Sequence, residues 1–130
     1  MMFTARFANP KLKSGELLAV PICLWTPRWP VKYETTKPLR SLAPKQSYIR
    51  APREEYTKLY LDGLAALGVD YIHCLFEALP QERPVALLCY EDLRKPELWC
   101  HRRLFADWWL SETGEEIPEL KEEPLQAPMF

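Results

Sequence analysis

The sequence predicts a small α/β domain of three layers, in which helices flank a largely parallel sheet. Two continuous apolar runs, residues 16–25 and 84–90, have the length and composition of buried strands. Three segments with apolar residues at helical spacing, residues 53–68, 70–79 and 98–113, lie between or after these runs. At 130 residues, the chain has the size of a single domain.

The first predicted strand, residues 16–25, contains Pro21. Proline has no N–H to donate to a neighbouring strand, so we expect a bulge or an irregular strand there. Residues 26–52 have no clear periodicity and contain five prolines, which predicts a long loop. The strand at residues 84–90 is apolar throughout, as is typical of a central strand covered on both faces.

Local signals mark the ends of the helices. Gly68 is the expected C-cap of the first helix, Asp70 the expected N-cap of the second, and Gly114 the expected end of the third. The first helix is expected to turn an apolar stripe inward, formed by Tyr56, Leu59, Tyr60, Leu64 and Leu67. Residues 115–120 predict a short last strand, which completes a single domain over residues 1–120. The acidic segment 121–130 is expected to be a weakly ordered tail.

The charges are divided unevenly along the chain. There are 11 basic and 4 acidic residues up to Lys58, against 6 basic and 14 acidic residues from Leu59 onward, for a net charge of -1. One interpretation, which we favour, is that the fold brings the basic and acidic parts of the chain together so that their electrostatic fields cancel. The other is that the basic part forms a positively charged face. Because nonspecific nucleic-acid binders usually carry a net positive domain, a nucleic-acid partner is not favoured. The oligomeric state is not indicated.

The longest apolar stretch, LLAVPICLW, is far shorter than the ~20 residues that a membrane-spanning helix needs. We therefore expect a cytoplasmic protein without a membrane partner. Its four cysteines, Cys23, Cys74, Cys89 and Cys100, are then expected to be reduced. The chain has no Walker loop, no GxGxxG and no GxSxG motif, so no nucleotide cofactor is expected.

The stretch LLCYEDLRKPELWCHRR, residues 87–103, joins a predicted strand end to a predicted helix start. Ligands of parallel α/β sheets usually bind at such strand ends. Cys100 lies where the helix dipole and Arg102 favour a thiolate, although an inert, half-buried cysteine is an equally good interpretation. Cys89 is either a ligand contact, one member of a redox pair with Cys100 if the loop folds back, or, more simply, a small core residue.

Glu91 and His101 are the candidate proton carriers. Glu91 could act on a ligand, but its simpler role is to accept hydrogen bonds from the amides near Trp99 and Cys100. Adjacent residues on a helix point about 100° apart, so direct pairing of Cys100 with His101 is awkward. For His101 we favour positioning a ligand or hydrogen-bonding a loop carbonyl.

In the segment WTPRWP, residues 25–30, Arg28 could bind an anion and Trp29 could stack on a planar group. For Trp25 we favour core packing. A metal site would need Cys89, Cys100 and His101 plus a fourth group such as Cys23 or Glu91. Ten residues between Cys89 and Cys100 is not a typical zinc spacing, so no metal is predicted.

The segments EEYTKLYLDGLAAL, VALLCYED and CHRRLFADWWLSETGEEIPEL resemble the domain-of-unknown-function 488 family, whose hallmark is a CxE strand end followed by CHR at a helix start. Cys89, Glu91, Cys100, His101 and Arg102 match that pattern. The resemblance covers most of the chain, to about Leu120. It implies an α/β fold with a parallel sheet and supplies no reaction. Many members carry serine and arginine after the first strand, where this chain has Cys23 and Leu24.

Two functions follow from the residues. The first is a small enzyme or ligand-binding protein for an anionic or nucleotide-like ligand, with Cys100 as nucleophile, Glu91 or His101 as proton carrier, and Arg102 and the helix amides as the anion site. The second is a non-catalytic binding or scaffold protein, in which the CxE…CHR pattern is a structural clasp.

Overall fold

The structure, a computed structural model, describes residues 1–125. It has a sheet of three parallel strands in the order β1-β3-β2, with the bounds β1 Met2–Arg6, β2 Leu18–Pro21 and β3 Val85–Cys89. The helices are α1 Arg53–Leu67, α2 Val69–Glu77 and α3 His101–Thr113. The predicted α/β class with a parallel sheet is confirmed.

The central strand β3 pairs with a strand on each side, and its side chains are buried at all five positions because both faces of the sheet are covered. Burial on both faces accounts for its unbroken apolar sequence. The ladders continue past the strand ends, where the amide of Phe7 donates to the carbonyl of Cys89 (2.9 Å) and the amide of Ile22 donates to that of Leu88 (3.0 Å). The carboxyl ends of the three strands therefore meet at one edge of the sheet.

The two faces of the sheet are covered differently. Val20 and Leu87 face a core shared with all three α-helices, which includes Tyr60, Phe105 and Trp109. The opposite face packs against Phe7, Leu12, Val31 and Tyr33, which belong to a short 3-10 helix, Pro10–Ser14, and to loops. The α-helical layer thus lies on one face, and the second covering layer is built mainly from loops.

Strand β1 was not predicted, because MFTAR is short and has no apolar periodicity. The predicted strand 16–25 is shorter than expected and regular up to Pro21. The amides of Leu18 and Ile22 donate toward β3 (2.7 and 3.0 Å), so the two-residue period of a strand turns the Pro21 nitrogen away from β3. The missing N–H therefore leaves no gap in the ladder.

Some predicted boundaries were wrong. Helix α2 begins at Val69 with Gly68 at its N-cap, and Asp70 lies in its first turn. Gly68 has φ 85°, so it ends α1 and starts α2 without an intervening loop. Helix α3 begins at His101 and not at residue 98. Leu59 is 37% exposed and does not join the inward stripe of α1.

The predicted last strand at residues 115–120 is reduced to an isolated parallel bridge between Thr4 and Glu119. Of the predicted tail, residues 126–130 lie outside the described part of the chain. In the described part, the Glu122 carboxylate accepts two hydrogen bonds of 2.9 Å from the Arg6 guanidinium. Within residues 1–125, no single helix has the length and apolar character to cross a membrane, although α1 and α2, bent by 77°, pass that test when taken as one segment.

Candidate functional site

A cavity of about 320 Å³ opens at the edge where the carboxyl ends of the strands meet. Cys89 is the last residue of β3, Cys23 follows β2, and Cys100 is the N-cap of α3. All three cysteines are buried, and each contributes to the cavity wall. The fold therefore brings one thiol from each of two strand ends and one from a helix start to a single cavity.

His101 is the hydrogen-bonding centre of this site. Its Nε2 lies 2.5 Å from the carbonyl oxygen of Ile22. A carbonyl can only accept, so this contact assigns the proton to Nε2 and leaves Nδ1 as an acceptor in the neutral ring. Nδ1 lies 3.4 Å from the Cys89 Sγ and 3.8 Å from the Cys100 Sγ. The imidazole can therefore accept a proton from either thiol.

The hydrogen bond of His101 to a loop carbonyl is present as expected, to Ile22, and the direct contact with Cys100 that was expected to be awkward also forms. Cys100 is outside the helix, with φ -148° and ψ 146°, so the angle between neighbouring helical residues does not apply to this pair. Its extended backbone directs the sulfur back toward the imidazole of His101. The site depends on this placement of Cys100 at the N-cap.

The two buried thiols hold their protons very differently. Burial opposes ionisation of Cys100, but three effects outweigh it and hold its pKa well below the usual thiol value. They are hydrogen bonding with Cys89, the hydrogen bond that the His101 Nδ1 returns once it has taken the thiol proton, and the positive charge of Arg102. Burial and the charge of Cys100 raise the pKa of Cys89 well above that value. Cys100 is therefore the thiol that ionises first.

Two further acids at the cavity are shifted toward their protonated forms. Burial raises the pKa of Cys23 to about 11, so this thiol remains protonated at neutral pH. Burial, followed by the charge of Cys100, raises the pKa of Glu91. The Glu91 Oε2 accepts from the Cys89 thiol (3.4 Å) and, among the described residues, does not bond the amides near Trp99 and Cys100 as expected.

Arg102 points away from the cavity and is fully buried. Its guanidinium donates to both carboxylate oxygens of Glu119 (3.0 and 2.8 Å) and to the main-chain carbonyl of Glu91 (2.8 Å). Its Nη1 is buried without a partner among the described residues. Arg102 therefore connects α3, the turn after β3 and the segment that follows α3.

The loop after β2 places its residues on or near the cavity rim. Arg28 is exposed and, like Trp29, does not contribute to the wall. Trp29 is 50% exposed and packs edge-on against Tyr90, with 5.9 Å between ring centroids. Trp25, expected in the core, is 55% exposed and forms part of the wall. Its carbonyl accepts a hydrogen bond from the Tyr90 hydroxyl, which holds this loop against the turn after β3.

Three aromatic wall residues were not predicted as site residues. Tyr90 and Trp99 directly flank Cys89 and Cys100 in the sequence, and this adjacency was a signal that could have identified them. Tyr56 lies on α1, where its helical spacing indicated only a core position. Its ring meets Trp99 edge-on at 4.7 Å, and the Arg53 guanidinium lies over Trp99 at 5.4 Å.

No family model, no curated protein and no solved structure matches this chain. The resemblance to the domain-of-unknown-function 488 family therefore stays a prediction. The chemistry of the site is therefore inferred from its own features. These are an oriented imidazole, one thiol with a lowered pKa beside one with a raised pKa, and a cavity lined by aromatic side chains.

Proposed function

We propose that the cavity binds a small electrophilic molecule and that the sulfur of Cys100 attacks it, with His101 accepting the thiol proton. The observation that carries this proposal is the orientation of His101, whose Nε2 is held by the Ile22 carbonyl while Nδ1 faces the thiols. A nucleophile, a base and a third group that orients the base form the arrangement typical of thiol enzymes.

Cys100 is a better nucleophile than Cys89 for a structural reason. It lies at the positive end of α3, where the helix dipole favours a thiolate. Cys89, at the end of β3, keeps its proton, which either Glu91 or Cys100 can accept. In the attack, the Cys100 sulfur forms the new bond, its proton moves to the His101 Nδ1, and the leaving group departs with the electron pair of the bond that breaks.

The cavity wall supports an uncharged ligand with a planar or apolar part. Four aromatic side chains line it, and among the described residues its wall includes the carboxyl groups of Glu91, whose pKa is raised, and Glu97, but no lysine or arginine. An anionic or nucleotide-like ligand stays a prediction, and it would have to be held by the first amides of α3, because neither Arg28 nor Arg102 contributes to the wall. We also propose a reducing compartment such as the cytoplasm, since Cys100 is nucleophilic only as a free thiol.

A non-catalytic scaffold is the second candidate, and the burial of Arg102 favours it. The arginine of the CHR motif makes its charged contacts with Glu119 and with the chain itself, which is the behaviour of a structural clasp. A clasp of this kind explains Arg102 but does not explain why His101 turns an acceptor nitrogen toward two thiols. The thiol-enzyme proposal accounts for both.

Alkylation with iodoacetamide, followed by peptide mass mapping, tests the proposal. At pH 7, Cys100 should react faster than Cys74, although Cys74 is exposed and Cys100 is buried in the cavity wall. Removing the base in His101→Gln should slow labelling of Cys100 by about 100-fold. The matched control Cys74→Ser should leave that rate unchanged.

The proposal fails if Cys100 in the folded protein stays unlabelled while Cys74 reacts and urea-unfolded protein labels at both positions. That outcome would favour the scaffold. Circular dichroism of the His101→Gln variant establishes that the comparison is made on folded protein.

A further inference from the structure

We propose that Cys89, Cys100 and His101 form a Zn²⁺ site with three protein ligands and a fourth coordination position open to the cavity. This inference rests on the proposed function in one respect, namely that it uses the same Cys100 sulfur. A thiolate bound to Zn²⁺ gives electron density to the ion and is a weaker nucleophile than a free thiolate. Zinc binding would therefore lower the reactivity of Cys100, and the ion would regulate the thiol.

The distances between the three ligand atoms already suit a tetrahedral ion. Zn–S bonds of ~2.3 Å and Zn–N bonds of ~2.0–2.1 Å at tetrahedral angles place sulfur and nitrogen ligands about 3.5–3.6 Å apart. The Nδ1 of His101 lies 3.4 Å from the Cys89 Sγ and 3.8 Å from the Cys100 Sγ. All three ligand atoms lie within 4.8 Å of one another. The two nitrogen–sulfur distances each lie within a few tenths of an ångström of the tetrahedral value.

The imidazole is oriented as a zinc ligand needs to be. A ligating histidine usually donates its second ring N–H to a carbonyl or a carboxylate, which fixes the tautomer and the direction of the free nitrogen. Here the Nε2–H donates to the Ile22 carbonyl, and the unprotonated Nδ1 faces both sulfurs. The outer contact that orients a metal ligand is therefore built into the end of β2.

Charge balance favours a divalent ion in this buried position. All three ligand side chains are buried, and two ionised thiols side by side would repel each other strongly without a cation. A divalent ion with two thiolates and a neutral imidazole has no net charge. Thiolate and imidazole ligands suit Zn²⁺, whereas Mg²⁺ and Ca²⁺ require oxygen ligands.

The fourth position faces the cavity. All three ligands contribute to its wall, and so does Glu91, whose Oε2 lies 3.4 Å from the Cys89 sulfur. Glu91 lies beside the group of three ligands and is not part of it. Three protein ligands with one open position is the arrangement that distinguishes reactive zinc sites from closed structural ones.

The wide sequence spacing of the cysteines does not argue against this site. Cys89 ends β3 and Cys100 precedes α3, and the turn between them returns the chain to the same edge of the sheet. Spacing rules for zinc describe ligands on one short loop, whereas here two separate elements of a folded sheet hold them.

Titration with Co²⁺ of the full chain, reduced with a non-chelating phosphine and freed of metal, tests the site. Binding should produce thiolate-to-cobalt charge-transfer absorption and visible bands of tetrahedral intensity, and Zn²⁺ should abolish both by displacement. Cys89→Ser and His101→Gln should each weaken Zn²⁺ binding by more than about 100-fold, beyond the 10–100-fold effect of losing an outer contact. The controls Cys74→Ser and Glu91→Gln should retain the spectrum.

Alkylation in the same samples separates this inference from the proposed function. If Zn²⁺ protects Cys100 from iodoacetamide and Cys89→Ser removes the protection, both proposals are supported. Folded protein that shows no thiolate–cobalt absorption, or a spectrum unchanged by Cys89→Ser, overturns the zinc site, while rapid labelling of Cys100 would still support the nucleophile. A cobalt spectrum with Cys100 inert even in the metal-free protein overturns the nucleophile alone.

Discussion

Removing the buried guanidinium of Arg102 should destabilise the whole domain. The side chain is fully buried and makes three hydrogen bonds of 2.8 to 3.0 Å, two to Glu119 and one to the carbonyl of Glu91. In Arg102→Ala, the Glu119 carboxylate loses its counter-charge and the Glu91 carbonyl loses its donor. The contact between α3 and the segment that runs beside β1 would be weakened at the same time, although the Arg103 hydrogen bond to the Ile117 carbonyl (2.6 Å) remains.

The magnitude follows from what remains after the substitution. Breaking a buried ion pair by removing one partner costs about 3–5 kcal/mol. The lower end applies here, because the Glu119 side chain is 30% exposed and can be rehydrated, and because Nη1 of Arg102 is already unpartnered among the described residues. A loss of about 3 kcal/mol is a large part of the 5–15 kcal/mol that stabilises a typical domain.

Urea unfolding followed by tryptophan fluorescence measures this loss. With an m-value of about 2 kcal/mol per molar urea, the midpoint should fall by about 1.5 M. The control Lys58→Ala removes an exposed pair with Asp62 (3.0 Å, 75% and 63% exposed) and should change the stability by less than about 0.5 kcal/mol. An Arg102→Ala midpoint close to that of the control would refute the clasp and return Arg102 to the candidates for ligand binding.

Three further predictions concern single residues. Tyr60→Phe should lower the free energy of unfolding by about 1–2 kcal/mol, because the buried Leu42 carbonyl loses its hydrogen bond from the tyrosine hydroxyl (2.7 Å); an unchanged urea midpoint would contradict this. Because burial raises the pKa of Cys23 to about 11, its alkylation at pH 7 should be far slower than that of Cys100, and its rate should increase as the pH rises toward 11. Equal alkylation rates of the two thiols at pH 7 would show that burial does not keep Cys23 protonated. Gly114→Ala should lower the free energy of unfolding by about 1 kcal/mol, because alanine is strained at φ 77° but its Cβ would meet no atom within 4 Å. A loss several times larger would indicate a steric contact that the structure does not contain.

The fold class could be predicted because its signals are local and strong. The unbroken apolar run of β3 indicated a strand covered on both sides, and Gly68 and Gly114 marked the ends of two helices. Strand β1 could not be predicted, because MFTAR lacks a periodic pattern and is stabilised by pairing with β3. Its partner strand is more than 80 residues away in the chain, and a pairing over that separation leaves no local pattern in the sequence.

The candidate site was predicted in its position and only partly in its contacts. The end of a strand and the start of a helix indicated where Cys89, Glu91, Cys100 and His101 would meet. Which atoms face one another depended on the backbone of Cys100, whose extended conformation at the N-cap turns its sulfur toward His101. The motif alone does not specify that conformation.

The sequence by itself determined the elements that carry the site, because apolar runs, helical spacing and capping glycines act over a few residues. Only the tertiary structure decided the roles of the charged and aromatic groups. Packing buried Arg102 against Glu119, held His101 against the Ile22 carbonyl, and placed Trp25 on the cavity wall. Each of these contacts joins segments far apart in the chain or fixes one rotamer among several, and such choices are made by the whole fold.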